Sequence, residues 1–171
     1  MVLTLKKLFV SAAAVTGLTM ALLPHSSDLA LYNHSKSMPV GLYWRIGSGA
    51  PAKISKASIV TVRAKDVAPQ MAAARHFNGP QNRFIKHVAA VVGDKVCADG
   101  SAMVVNDGVP IPRRRELPIG SAKNDAAPIW SGCRVLHEDE VLLLGETADS
   151  FDGRYWGPVS LHLIEGVWRK I

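Results

Sequence analysis

The stretch Arg83-Phe84-Ile85-Lys86-His87-Val88-Ala89-Ala90-Val91-Val92-Gly93-Asp94 constrains this chain more than any other. Its apolar, β-branched run, closed by Gly93-Asp94, reads as a buried strand, and that strand carries a single lysine. Strand alternation sets Phe84, Lys86 and Val88 on one face and His87 on the other. Lysine is rarely buried, because desolvation favours its neutral form, and a neutral amine is a base. A fall of ~3 units from ~10.4 corresponds to about 4 kcal/mol, within what apolar burial imposes. The plainer alternative is a lysine whose stem packs on the surface while its head stays in water.

Upstream, Ser35-Lys36-Ser37-Met38-Pro39 offers a nucleophile just beyond an apolar N-terminal segment. Serine alone is a weak nucleophile; it needs a base, and a neutral lysine can serve. Lys6 and Lys7 precede an uncharged run over residues 8–23, 16 residues against the ~20 of a comfortable membrane span. A cleavable signal has the same layout, but residues 24–30 hold no clear Ala-x-Ala site, which favours a retained anchor. The two lysines would keep the N-terminus in the cytoplasm and send the body across. The expected division is therefore an anchor over residues 1–30 and a catalytic domain over 31–171. Only 13 residues lie between Leu23 and Ser37, so the nucleophile would stay near the lipid.

Beyond the anchor, short apolar segments at 41–46, 58–63, 84–92, 96–98, 103–105, 109–111, 133–136, 141–144 and 159–164 read as strands. Asn106-Asp107-Gly108 marks a hairpin. One helical stretch, 66–77, is closed by Asn78-Gly79-Pro80. The expected fold is mainly β with one short helix. Cys97 and Cys133 could close a 37-residue loop through a disulfide on an exported domain, or remain two buried thiols.

The formal charge of +6 is spread along the chain except at Arg113-Arg114-Arg115, which reads as a solvated loop. No nucleic-acid module is recognisable, so no nucleic-acid partner is expected. The six histidines show no metal-ligand spacing, so no metal site is expected.

Three segments then act together. Ser35-Lys36-Ser37-Met38-Pro39-Val40-Gly41-Leu42-Tyr43 resembles the nucleophile box of bacterial type I signal peptidases. Lys86 to Asp94 resembles their lysine box, and Ser150-Phe151-Asp152-Gly153-Arg154-Tyr155-Trp156-Gly157 their last box. The nucleophile element, Trp130-Ser131-Gly132-Cys133 and the last box look most like the TraF-type peptidases of conjugative transfer systems. The sequence departs from the general pattern where Met38 and Pro39 adjoin without an intervening residue and where Gly145-Glu146-Thr147 replaces glycine-aspartate-asparagine.

The resemblance implies a signal peptidase/LexA-like β domain and a Ser–Lys dyad that needs no cofactor. By position, Ser37 would be the nucleophile and Lys86 the general base. The backbone N–H of Ser37 and the Ser35 hydroxyl would form the oxyanion hole. Ser150 would hold the lysine amine, Asp152 and Arg154 would brace the region, and Met38 and Pro39 would lie along the substrate, with a plain core methionine an equal alternative for Met38. The implied partners are membrane lipid and an exported precursor, in this branch a conjugative pilin precursor, at the periplasmic side of a bacterial inner membrane. A housekeeping signal peptidase, a non-catalytic module of a conjugation apparatus and a self-cleaving regulator stand as alternatives.

Overall fold

The computed structural model describes residues 28–49, 54–114 and 129–171. The apolar segment 8–23, expected to be an anchor, lies outside them. Among the described residues no helix is long and apolar enough to cross a membrane.

Two antiparallel sheets make the body. In spatial order the larger runs β1 (Ala30–Asn33), β2 (Gly41–Ser48), β11 (Ile164–Lys170), β3 (Ile59–Arg63), β4 (Arg83–Ala90), β9 (Glu140–Leu144) and β10 (Val159–Ser160). The smaller runs β7 (Ile111–Pro112), β6 (Ala102–Val105), β5 (Lys95–Ala98) and β8 (Gly132–Val135). Asn106 and Asp107 take left-handed backbone angles, φ 51° and 55°, in the loop from β6 to β7, as the hairpin signal requires.

Strand β9 shows why the core forms as it does. Its Val141 and Leu143 pack with Val60, Val62 and Val88 in one cluster, while Leu142 and Leu144 pack with Val96 and Met103 in another. A strand covered on both faces carries no polar alternation, and Val141-Leu142-Leu143-Leu144 has none. A third cluster joins Met38, Tyr43, Ile85 and Trp168 beneath the nucleophile turn.

The single helix expected over 66–77 is two short ones, α1 (Ala64–Val67) and α2 (Pro69–Ala74). Proline lacks an N–H and drives the residue before it out of the helical region, and Ala68 sits at φ −146°, ψ 61°. A further single turn, α3 (Gly153–Trp156), starts from Asp152, whose side chain accepts the Arg154 N–H.

The arginine cluster is not wholly solvated. Arg113 is buried, and its guanidinium donates to the backbone carbonyls of Asp99, Trp130 and Arg154, tying the small sheet to the main body. Arg114 is exposed. Cys97 and Cys133 stand opposite each other on β5 and β8 and are joined by a disulfide.

On the outer face of β1 and β2, Tyr32, Leu42, Trp44 and Ile46 are exposed, with Leu29 and Ile171 beside them. This apolar row borders the loop that carries Ser37.

Candidate active site

Ser37 sits in the loop between β1 and β2, and Asn33 shapes that loop. The buried Asn33 amide donates to the carbonyls of Ser35 (2.8 Å), Met38 (3.0 Å) and Pro39 (3.2 Å). Its Oδ1 accepts the Ser35 N–H at 3.0 Å. The Tyr43 hydroxyl also donates to the Pro39 carbonyl, at 2.6 Å. A turn without ladder partners is thus held by one asparagine and one tyrosine.

Lys86 comes from the middle of β4, where Val60 of β3 is its ladder partner. The residue is only 2% exposed. Its Nζ donates to Ser37 Oγ at 2.7 Å and to Ser150 Oγ at 3.2 Å. Burial pushes the ammonium down to about 8; the nearby Asp152 charge opposes that fall and Arg154 adds to it. A lysine neutral in mildly basic solution can accept the Ser37 proton through the same contact. Phe84 and Val88 share the Lys86 side of the strand, with Nζ 5.9 Å from the Phe84 ring centroid. His87 is half-buried, and desolvation lowers its pKa.

Ser150 is placed by a second network. Asp152 and Arg154 are both buried and pair at 2.6 Å. Asp152 also accepts the Gly145 N–H at 2.8 Å, and Arg154 donates to the carbonyls of Thr147 (2.7 Å) and Ala148 (3.1 Å). One ion pair therefore fixes the start and the middle of the 145–150 loop. The loop in turn meets the nucleophile turn, because the Glu146 N–H donates to the Ser37 carbonyl at 2.8 Å. Gly145 passes between the two serines. A Cβ there would overlap the Ser150 hydroxyl and lie 2.6 Å from the Ser37 carbonyl oxygen.

Ser35 Oγ accepts the Ser37 N–H at 3.2 Å and lies 3.0 Å from Ser37 Oγ. The two groups expected to bind an oxyanion therefore lie together beside Ser37 Oγ, the N–H bonded to the Ser35 hydroxyl and that hydroxyl donating to Ser37 Oγ. The structure thus brings Ser35, Ser37, Lys86 and Ser150 together, with Asp152 and Arg154 behind them. It does not bring Met38 to the cleft. Met38 is 1% exposed and sealed under Tyr43, Ile85 and Trp168, so the substrate-contact role expected of it is replaced by a packing role. Pro39 lies in the turn, its carbonyl taken by Asn33 and Tyr43.

A cleft of about 480 Å³ opens over these groups. Ser37, Lys86 and Ser150 form one wall; Ala72, Arg75 and Phe77, from α2 and the segment after it, form the other. Sequence reasoning missed Asn33, Gly145 and Arg75. Gly145 was open to detection as a glycine inside a quoted motif, whereas the other two have no local signal.

Two open β sheets with a serine, a buried lysine and a second serine in hydrogen-bond reach define the site. The whole chain agrees with one family: Signal peptidase, peptidase S26, matches residues 2–171, and the chain belongs to it. It is by family a serine peptidase. Two plasmid transfer proteins TraF of Escherichia coli are similar, one 31% identical over 150 residues and the other 30% over 154. Each alignment covers 83% of this chain and 82% of the relative. A solved signal peptidase I from Enterococcus faecalis V583 is 19% identical, with a TM-score of 0.36 over 67% of this chain and 96% of that one.

Proposed function

We propose that the chain is a Ser37–Lys86 endopeptidase that cuts an exported precursor protein at the periplasmic face of a bacterial inner membrane. The observation that carries this reading is the 2.7 Å contact between Ser37 Oγ and the buried Nζ of Lys86. Neutral Lys86 takes the Ser37 proton as Oγ attacks the scissile carbonyl. Negative charge then collects on the carbonyl oxygen, beside the Ser37 N–H and the Ser35 hydroxyl. Lys86 returns the proton to the departing amine, leaving an ester on Ser37, and Ser150 holds Nζ in place between the steps. Water activated by Lys86, or an amine of the substrate itself, then releases the acyl group. No cofactor takes part.

The resemblance to plasmid transfer proteins supports a conjugative pilin precursor as the substrate. The exposed row of Tyr32, Leu42, Trp44 and Ile46 supports contact with the lipid surface, because apolar area of this kind rests poorly in water. Co-expression with a candidate pilin precursor tests the reading through intact masses of the product. Trimming with the wild type and none with Ser37→Ala supports the peptidase, and loss of one further water marks cyclisation. A precursor untouched in both removes the pilin assignment.

A further inference from the structure

Arg75 is a cation in the cleft wall without a counter-charge among the described residues. Its guanidinium lies 3.8 Å from the centroid of the Phe151 ring, one residue from Ser150. Burial lowers its pKa, and among the described residues only the Tyr155 phenol offsets this and no carboxylate pairs with it. The other cleft-lining arginine, Arg83, is occupied by Glu165 and Asp28. Among the described residues the one carboxylate on the cleft wall is Asp149, engaged by the Thr147 side chain and its own backbone and influenced by Arg114 and Arg154. Lys36, exposed at the rim, adds a second cation.

Charge and shape agree. A guanidinium held over an aromatic face by its carbon keeps N–H donors at its edge, and a planar carboxylate meets two of them at once. The ring contact also narrows the freedom of the group, so less is lost when a ligand arrives. Ala72 and Phe77 give the surrounding wall an apolar surface, which strengthens an ion pair made there.

Resting on the peptidase reading above, we propose that Arg75 forms a subsite for a carboxylate of the substrate, so that the cleft selects precursors with an acidic group near the cleaved bond. The acid could be a side chain or a free C-terminus, and the two can be separated by experiment.

The test uses the full-length protein in detergent micelles. The probes are C-terminally amidated decapeptides of small and apolar residues in which one Glu moves along the sequence, with matched Gln and Lys sets and a free-acid set. Cleavage is followed for the wild type, Arg75→Gln and Arg75→Glu, and binding to Ser37→Ala and to Ser37→Ala carrying Arg75→Gln by anisotropy of dye-labelled peptides. At one position the wild type should favour Glu over Gln by about tenfold, the size of one charge-assisted hydrogen-bonded pair. That ratio should fall to near one in Arg75→Gln, turn toward Lys in Arg75→Glu, and shrink with added salt. A preference that appears only with free-acid peptides and disappears with Arg75→Gln assigns the carboxylate to the C-terminus. Ser37-dependent cleavage with equal Glu-to-Gln ratios in wild type and Arg75→Gln overturns the subsite alone. Arg75-dependent binding of acidic peptides with no cleavage by the wild type supports the subsite and overturns the peptidase reading.

Discussion

On one side of the cleft, Ser37, Lys86 and Ser150 are fixed by Asn33, by the Asp152–Arg154 pair and by the backbone of Gly145 and Glu146. On the other, Ala72, Arg75 and Phe77 belong to helices of six residues or fewer, whose N-termini have no side-chain cap, and to the segment that follows. Proton transfer and acyl attack require positions held to a fraction of an ångström, and polar networks supply that. Recognition of a flexible peptide does not, so a lightly built wall of apolar surface and one cation is enough.

The largest expected effects break the rigid wall at its centre. Ser37→Ala and Lys86→Ala should each lower kcat by about 10⁴-fold or more while the circular dichroism stays native. Lys86→Met should also raise the melting temperature at pH 7, because it removes an ammonium from an apolar setting. A lower melting temperature would make the lysine a structural residue.

Gly145→Ala comes next. Pushing the two serines apart should lower kcat by about 100-fold, and an active Gly145→Ala enzyme would show that the two loops are free to separate.

The pH profile tests the electrostatics of the same wall. With the Lys86 pKa near 8, kcat/KM should rise steeply from pH 6 and level above about 8. The stability linkage has the same direction. The folded pKa lies below the unfolded one, so the unfolded chain binds more protons between about 8 and the ordinary lysine value of 10.5, and this group's contribution to stability grows as pH rises through that window. A profile flat from pH 6 to 9 would remove Lys86 as the base.

Asn33→Ala should lower kcat by about tenfold, with a melting temperature several degrees lower, since the Ser35 and Met38 carbonyls and the Ser35 N–H lose this partner, at about 1–3 kcal/mol for each group left buried and unmet, while the Pro39 carbonyl keeps the Tyr43 hydroxyl. The smallest effect should fall on the lighter wall. Phe77→Leu should raise KM by about threefold with less change in kcat, read from steady-state kinetics. A fall in kcat larger than the rise in KM would erase the contrast between the walls.

The strands with apolar alternation or continuous apolar runs were legible; the strand alone left Lys86 open to a surface position, and the motif resemblance was needed to favour burial. Two strands were not. β1 is four residues of mixed character, and the β11 sequence Ile164-Glu165-Gly166-Val167-Trp168-Arg169-Lys170 looks like a polar terminus. It is nevertheless central, because Glu165 is neutralised by Arg63 and Arg83, which are remote in sequence, and Gly166 packs against Arg45 and Trp168. Long-range pairing of this kind leaves no local pattern to read. The same holds for Asn33 and Arg113, whose partners are backbone carbonyls supplied by the fold. Motif resemblance brought in Ser35, Ser150, Asp152 and Arg154, which periodicity alone would have left as ordinary loop residues.

The place of β11 sets a schedule for the molecule. Ser37 follows β1 and leads into β2, whereas Lys86 lies beyond β3, and no ladder joins β2 to β3 until β11 is laid between them. During synthesis, and during any N-terminus-first passage across a membrane, residues 37 and 86 therefore appear long before residues 164–170 can bring their strands side by side. A half-made chain holds Ser37 and Lys86 on two unjoined pieces. Under the proposed dyad, cutting is thus withheld from the unfinished molecule by the order in which the strands arrive.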